Sequence, residues 1–522
     1  MEADAGVQTR DEKLVGPEGG DEGPPSSERT RTTVVAFAML CAYFLASWDV
    51  RPLFFSNQNT YFVQGLQRAG VEGLQADWLS HTRAPHIVFT WLVAALQSLG
   101  ILKIGVHVIE VVLYVGLVWA LWILSGCRSS RGTARMLSIR FLICAAFLVL
   151  VMEPGPWNQL FNWEGLAHQF VVGGYLQPGE FGIAILVAIA LLGLERYGLA
   201  IGFLVLAVVF HASYLIPCSI LAATIAGDLL YQKRQREALL LLVIFGMGVG
   251  PIVLYGLSFG GDAESTTRAT TLLARQIIPQ HAWPAFWFSP AQAFKFGVMI
   301  VGSALAWRCF SRSVALAMTS SLLLTVLGSA YVYFSENAYV GLLFPWRASA
   351  YLYALSVFAL LVSLAPIAGW LTDRVGRERT EAAFKWCAFA FAAILAVESV
   401  REVAVRKAGP DFPFAADVAR LSHVDDQVII PAGKLDLWNR FRLLAMRPTY
   451  VDSKSHPYLA TEVLEWERRI DAVNALYRLP PEKRKSRCHE MGASFYVSTP
   501  DYIPGSIDGA GETGFSLVAC NR

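Results

Sequence analysis

Long apolar runs, separated by short basic turns, dominate the chain. Ile183–Leu194, Leu239–Tyr255 and Tyr351–Leu364 are too long and too frequent for one water-soluble core, and read as helices crossing lipid. The pattern predicts a first span over residues 33–50. Further spans are expected near 104–126, 136–153, 179–195, 198–215, 216–231, 238–257, 291–307, 313–334, 347–370 and 384–402, about eleven in all. The apolar stretch His86–Leu102 makes a helix of about 17 residues, near 25 Å, against about 30 Å of hydrocarbon. It also carries His86 and Gln97, so it is expected to lie in or along the membrane without crossing it. Residues 198–231 are expected to form two short helices, with Pro217 near their junction.

Charge then sets the sidedness. Basic residues in short loops stay cytoplasmic, and the clusters are Arg128/Arg131/Arg135, Arg196, Lys233/Arg234/Arg236, Arg308/Arg312 and Arg374/Arg377/Arg379. With the N-terminus inside, the listed spans put every cluster inside. Segments 51–103, 154–178 and 258–290 then face outward, as does a C-terminal domain from about residue 405. The first 32 residues are polar and rich in Glu, Asp, Gly and Pro. They are expected to be a disordered cytoplasmic tail, with the first span acting as an uncleaved signal anchor.

The C-terminal domain reads as α/β. Val428–Ile430, Thr449–Asp452, Ser494–Val497 and Phe515–Ala519 have the look of short strands, and an amphipathic helix runs from Ala460 to Tyr477. The fold class is therefore an α-helical polytopic membrane protein with a juxtamembrane first outside loop and a small C-terminal α/β domain. Composition agrees: the 522 residues are 55% hydrophobic and 16% charged, against about 25% charged in a soluble domain. A net charge of +2 argues against nucleic acid as a partner. Of eight cysteines, six sit in or beside apolar runs; Cys488 and Cys520 lie in the C-terminal domain, as a disulfide in an oxidising compartment or as two thiols.

The first outside loop is the segment richest in candidate chemistry. It reads Ser56-Asn57-Gln58-Asn59-Thr60-Tyr61, then Gly65-Leu66 and Ala76-Asp77-Trp78-Leu79, and runs after Pro85 into the apolar helix. This layout resembles the first loop of the GT-C superfamily of multi-span glycosyltransferases, which use lipid-phosphate-linked sugars. The likeness is to the protein O-mannosyltransferase and aminoarabinose-transferase branch, and it covers about 50 residues closely. There the loop opens with Asp-Glu-x-x-Tyr and reaches Gly-Asp-Trp-Leu before a Pro-led apolar helix. Aligned on Tyr61, the acidic pair falls on Asn57 and Gln58, and the later motif on Ala76–Leu79.

In that family the first acid is the general base that deprotonates the acceptor hydroxyl, and Asn57 cannot take a proton at neutral pH. Either another carboxylate does this work, or the protein binds glycolipid without transferring sugar. Asp77, Glu164 and Asp49 are the outward candidates. Asp77 can equally cap a helix or pair with Arg83, and Asp49 suits an ion pair with Arg51. The second outside loop carries Asn162-Trp163-Glu164-Gly165, His168, Gln169 and Gln177-Pro178-Gly179-Glu180. With Trp157, Trp163 and Tyr175 it suits sugar stacking, or an interfacial aromatic belt.

His211, in an apolar run, is either a site residue or a packing histidine. Arg347, in Phe344-Pro345-Trp346-Arg347, stands at the outer end of a span, where a guanidinium can hold a lipid phosphate bidentately or snorkel. Lys295 can assist it or snorkel. Arg440/Arg442 and Arg468/Arg469 read as solvated helix faces, and Tyr450–Lys454 suggests no chemistry. No nucleotide-cradling loop, zinc spacing or nucleophile elbow occurs.

The expectation is transfer of a sugar from a polyprenyl-phosphate donor to a glycan, glycolipid or protein acceptor at the extracytoplasmic face. Asp77 or Glu164 would be the base and Arg347 the phosphate ligand, with Asn57, Gln58, Asn59, Tyr61 and His211 binding substrate. No cofactor is fixed, and a divalent metal stays open. The membrane is the cell membrane of a bacterium or the endoplasmic reticulum of a eukaryote. Rival readings are a non-catalytic glycolipid-binding or polysaccharide-assembly protein and, ranked last, a transporter, for which the chain shows neither internal repeat nor paired helix breaks.

Overall fold

The computed structural model describes residues 26–47, 51–126, 134–151, 160–367, 370, 374, 412–433, 436–498 and 514–520. The expected span over 384–402, Asp49 and most of the polar tail lie outside these residues. The first helix, Ser26–Ser47, begins earlier than expected, so residues 26–32 are helical.

The described chain is mostly helical. Five helices are long and apolar enough to cross a membrane: Leu102–Leu124, Ala212–Tyr231, Gln235–Leu257, Arg312–Ser335 and Ala338–Ile367. Their outward faces are bare hydrocarbon, with Ile104, Met247, Leu254 and Leu327 each at least 64% exposed. So wide an apolar surface is ruinous in water and natural in lipid, marking a membrane protein. Inward, Phe147, Ile185, Leu204, Met318 and Phe358 pack into one core.

Local rules set the helix ends. Ser289 accepts a hydrogen bond from Gln292 N and Pro290 takes the first turn of the helix Pro290–Cys309. Over 198–231 there are two helices, Tyr197–Phe210 and Leu215–Tyr231; the break falls on His211–Tyr214, and Pro217 sits in the first turn of the second. The apolar helix after Pro85 spans Ile87–Ser98, 12 residues. That is about 18 Å at 1.5 Å per residue, too short to cross.

The C-terminal segment carries a three-stranded sheet, β1 (Val428–Ile429), β2 (Phe495–Ser498) and β3 (Ser516–Ala519). β1 pairs parallel with β2, and β2 antiparallel with β3. The strand expected over Thr449–Asp452 is a single bridge from Thr449 to Val428. The ladder stops there because the Asp452 carboxylate accepts from Lys454 N (3.0 Å) and Ser455 N (2.6 Å), which turns the chain away. Cys488 and Cys520 are bonded, with Cα atoms 5.6 Å apart.

This segment is not a detached lobe. Leu443, from the helix Asp436–Ala445, is buried among Phe62, Val63, Leu66 and Leu74 of the loop that follows the first helix. At Gly73 the two chains approach so closely that a Cβ would fall 1.9 Å from the Met446 carbonyl oxygen. Arg440 and Arg442, expected on a solvated face, are 6% and 1% exposed, because that helix is wedged between loop and sheet.

Candidate functional site

The first site loop is a tight turn built from its own amides. Phe54 and Ser56 both take left-handed backbone (φ 66° and 46°), which costs energy in any residue but glycine. Gln58 and Asn59, both buried, hold that shape. Gln58 Oε1 accepts from Phe54 N (2.8 Å) while its Nε2 donates to the Leu176 carbonyl (3.1 Å). Asn59 Nδ2 donates to the carbonyls of Phe54 (2.8 Å) and Ser56 (3.0 Å). Asn57 instead reaches the segment before the helix Ile183–Gly193, its Nδ2 donating to Gln177 Oε1 at 3.0 Å.

Four expected or adjoining residues form a row. The Tyr61 ring meets His86 edge-on at 5.2 Å, and His86 lies 4.2 Å from the His211 ring. His211 Nδ1 faces Ser213 Oγ at 2.8 Å, and its Nε2 lies 3.3 Å from Arg347 Nη2. Each partner comes from a chain break: His86 precedes the helix Ile87–Ser98, His211 interrupts two helices, and Arg347 sits in the turn Pro345–Ala348 after left-handed Phe344 (φ 48°). Burial drives His86 down to about 3, so this imidazole is neutral at any physiological pH.

The Arg347 guanidinium lies over the Tyr214 ring at 5.0 Å. Its Nε is buried without a hydrogen-bond partner, and it makes no ion pair among the described residues. His86 Nδ1 and Gln177 Nε2 are likewise buried and unpartnered. Gln177 thus adjoins Asn57 just as His86 adjoins His211. A cation so placed is short of compensating negative charge among the described residues.

Glu164 belongs to a second group. Its carboxylate lies 3.6 Å from His168 Nδ1 and 3.8 Å from Lys295 Nζ. The His168 contact and the Lys295 charge hold it below the usual carboxylate range, against the opposing effect of burial. Lys295 is buried and donates to Asn162 Oδ1 (3.1 Å) and the Glu164 carbonyl (2.8 Å), a structural anchor more than a snorkelling chain. Ala167 and His168 are again left-handed (φ 55° each), and Gly165 lets the loop touch the Ser349 backbone, where a Cβ would meet carbon at 2.4 Å.

His281 ties the two groups together. Its Nδ1 faces the Ala167 carbonyl at 2.8 Å, and its own carbonyl accepts from Trp346 Nε1 at 2.9 Å, next to Arg347. Glu180 is fully buried beneath, with Oε1 accepting from Gly173 N (3.1 Å) and Tyr114 Oη (3.4 Å).

Asp77 stands apart from both groups. It is fully buried; Oδ1 accepts from Ser80 N (3.1 Å), and Oδ2 from Arg442 Nε (2.8 Å) and Thr449 N (2.9 Å). Its cation is thus Arg442, not Arg83. Arg83 lies over the Tyr255 and Phe259 rings, and its amide donates to Glu462. This carboxylate is fully enclosed and holds the first loop to the C-terminal segment. Among the described residues no group of three or more His, Cys, Asp or Glu is placed to hold a metal.

His86, His281, Arg442 and Tyr458 were not legible as site neighbours from sequence. His86 carried the one usable signal, a titratable ring heading an otherwise apolar helix. The model of a domain of unknown function (DUF6798) matches residues 414–473, and no curated protein matches the chain. The matched stretch contains Arg442, Thr449, Asp452 and Tyr458, so it is this portion of the C-terminal segment that meets the loop carrying Asp77.

Proposed function

We propose that the protein is a membrane glycosyltransferase that moves a sugar from a polyprenyl-phosphate donor to an acceptor at the extracytoplasmic face. The observation that carries this reading is Arg347: a guanidinium with no acidic partner among the described residues, a buried unpartnered Nε, and neighbours that are rings and amides. A phosphate would supply the missing charge and accept two parallel N–H bonds. His211 adjoins it, Tyr61 stands at the other end of the same row of rings, and Asn57 lies on the loop next to Tyr61; they offer hydrogen bonds and a ring face to the sugar, while Gln58 and Asn59 shape the loop.

The reaction is a direct displacement. The acceptor oxygen forms a bond to the anomeric carbon, the bond from that carbon to phosphate breaks, and Glu164 takes the acceptor proton as lipid phosphate departs. Glu164 is the base in this reading because it is ionised and 37% exposed, whereas Asp77 is enclosed. The finer topology belongs to the same proposal: about eleven spans, with outside loops and C-terminal domain on one extracytoplasmic side. The Cys488–Cys520 disulfide supports that side, since such bonds persist in oxidising compartments.

A second reading, a glycolipid-binding or assembly protein without transfer, is favoured by Asn57 standing where the resembled family has its acid. Proteoliposomes carrying labelled polyprenyl-phosphate sugars and an acceptor extract separate the two. The first reading predicts transfer that Arg347→Ala lowers by about 100-fold or more, and Glu164→Gln similarly with donor binding kept. Donor binding without transfer by the wild type would favour the second.

A further inference from the structure

We propose that Tyr458, in the C-terminal segment, is a ligand-binding residue of the Arg347 site, and that the ion triad Asp77–Arg442–Asp452 holds it there. The proposal rests on the reading of Arg347 as an anion site. It gives a role to the stretch around Asp452, which suggested no chemistry in the sequence.

The contacts run in an unbroken line. Arg442 donates through Nε to Asp77 and through Nη1 to Asp452 Oδ2 (2.5 Å), and all three side chains are at most 2% exposed. The other Asp452 oxygen accepts from the amides of Lys454 and Ser455, so one carboxylate grips Arg442 and sets the course of the next residues. Those residues lie along the first outside loop. Lys454 Nζ donates to Ser56 Oγ at 3.0 Å, and Ser455 Oγ meets Thr60 Oγ1 at 3.0 Å, one contact on each side of Asn57. Three residues on comes Tyr458, whose side chain interacts electrostatically with that of Tyr61, the first ring in the row that ends at Arg347.

A pair of tyrosines in this position has a free donor. Two phenols carry two O–H donors, and a contact between them uses at most one, leaving the other for a third group. Burial pushes both hydroxyls above their ordinary range, and the nearby Arg347 charge does not bring them down to neutral pH, so both remain protonated donors. Behind them His456 is buried with Nδ1 unpartnered, its ring 5.1 Å from Tyr458. The class of ligand that uses an O–H donor beside a guanidinium is a phosphate ester. The C-terminal segment then supplies one wall of the site, and Asp77 is a positioning residue.

The test uses the full chain in nanodiscs, with farnesyl phosphate as probe and farnesol as the uncharged control. Tyr458→Phe is expected to weaken farnesyl phosphate binding about 10-fold and leave farnesol binding unchanged, since only a hydrogen bond to a charged group is lost. Asp77→Asn is expected to weaken it comparably and to add little to Tyr458→Phe, because both act through one hydroxyl. A Thr60→Cys/Ser455→Cys pair is expected to cross-link under mild oxidation, and to lose that cross-link when Asp77→Asn is added. Unchanged affinity in Tyr458→Phe, with binding lost in Arg347→Ala, overturns this proposal and leaves the anion site standing. Unchanged affinity in Arg347→Ala overturns the anion site and the proposal with it. Failure of the cysteine pair to cross-link overturns the docking.

Discussion

At the scale of single residues the account turns on which charges are compensated. Arg442 is sandwiched between two carboxylates, Lys295 is surrounded by acceptors, and Arg347 lies against the His211 and Tyr214 rings with no ion pair among the described residues. Arg347, His211 and Glu164 could be picked from the sequence because polar groups at an apolar boundary are costly and so stand out. Asp77 stood out through its place in the Ala76–Leu79 motif, yet its partner lies 365 residues away, a distance no local pattern spans. For that reason too, Arg440 and Arg442 looked solvated: helical spacing shows a face, not what covers it.

Two predictions belong here. Replacing Asp77 by Ala leaves Arg442 with half its neutralisation and should lower the free energy of opening the 442–458 region by about 3–5 kcal/mol, measured by native-state hydrogen exchange. The second concerns pH. The Glu164 carboxyl is held low, so the base is lost only as pH falls through that lowered value, and the acid limb of the transfer rate lies below the ordinary carboxylate range. His168→Ala removes the largest cause of the lowering, so the acid limb should move to higher pH. An unmoved limb would mean that another group sets it.

Elements were far more legible than contacts. Apolar length marked the helices, and the two-helix reading of 198–231 matches the break at His211, where the chain gives up helical hydrogen bonds to aim a ring. The 12-residue helix after Pro85 is too short to cross, as its length and polar residues suggested. What the pattern missed were ends and turns: helical residues before Thr33, and a bridge in place of a strand at Thr449. Both depend on side-chain hydrogen bonds and proline placement, which hydrophobic period does not encode. Strain gathers at the same loops, in Phe54, Ser56, Ala167, His168 and Phe344, each close in sequence to a candidate residue. Such backbone persists where surrounding packing over-determines it.

For the whole molecule, the membrane helices form a platform and the C-terminal segment closes on the loop 51–86. The disulfide stiffens that closure. It joins cysteines 32 residues apart, and loop-closure entropy assigns it about 3–4 kcal/mol, so reduction should lower the melting temperature of the C-terminal segment in detergent while the membrane helices hold. The central claim is that Arg347 receives a lipid phosphate at the extracytoplasmic face. An electron cryomicroscopy map of the full chain in nanodiscs, saturated with a polyprenyl phosphate, tests it most directly. The account predicts phosphate density within hydrogen-bonding distance of the Arg347 guanidinium and the Tyr61–Tyr458 pair, with the prenyl chain leaving along the apolar helix faces. Phosphate seated elsewhere, with Arg347 bare, would contradict it.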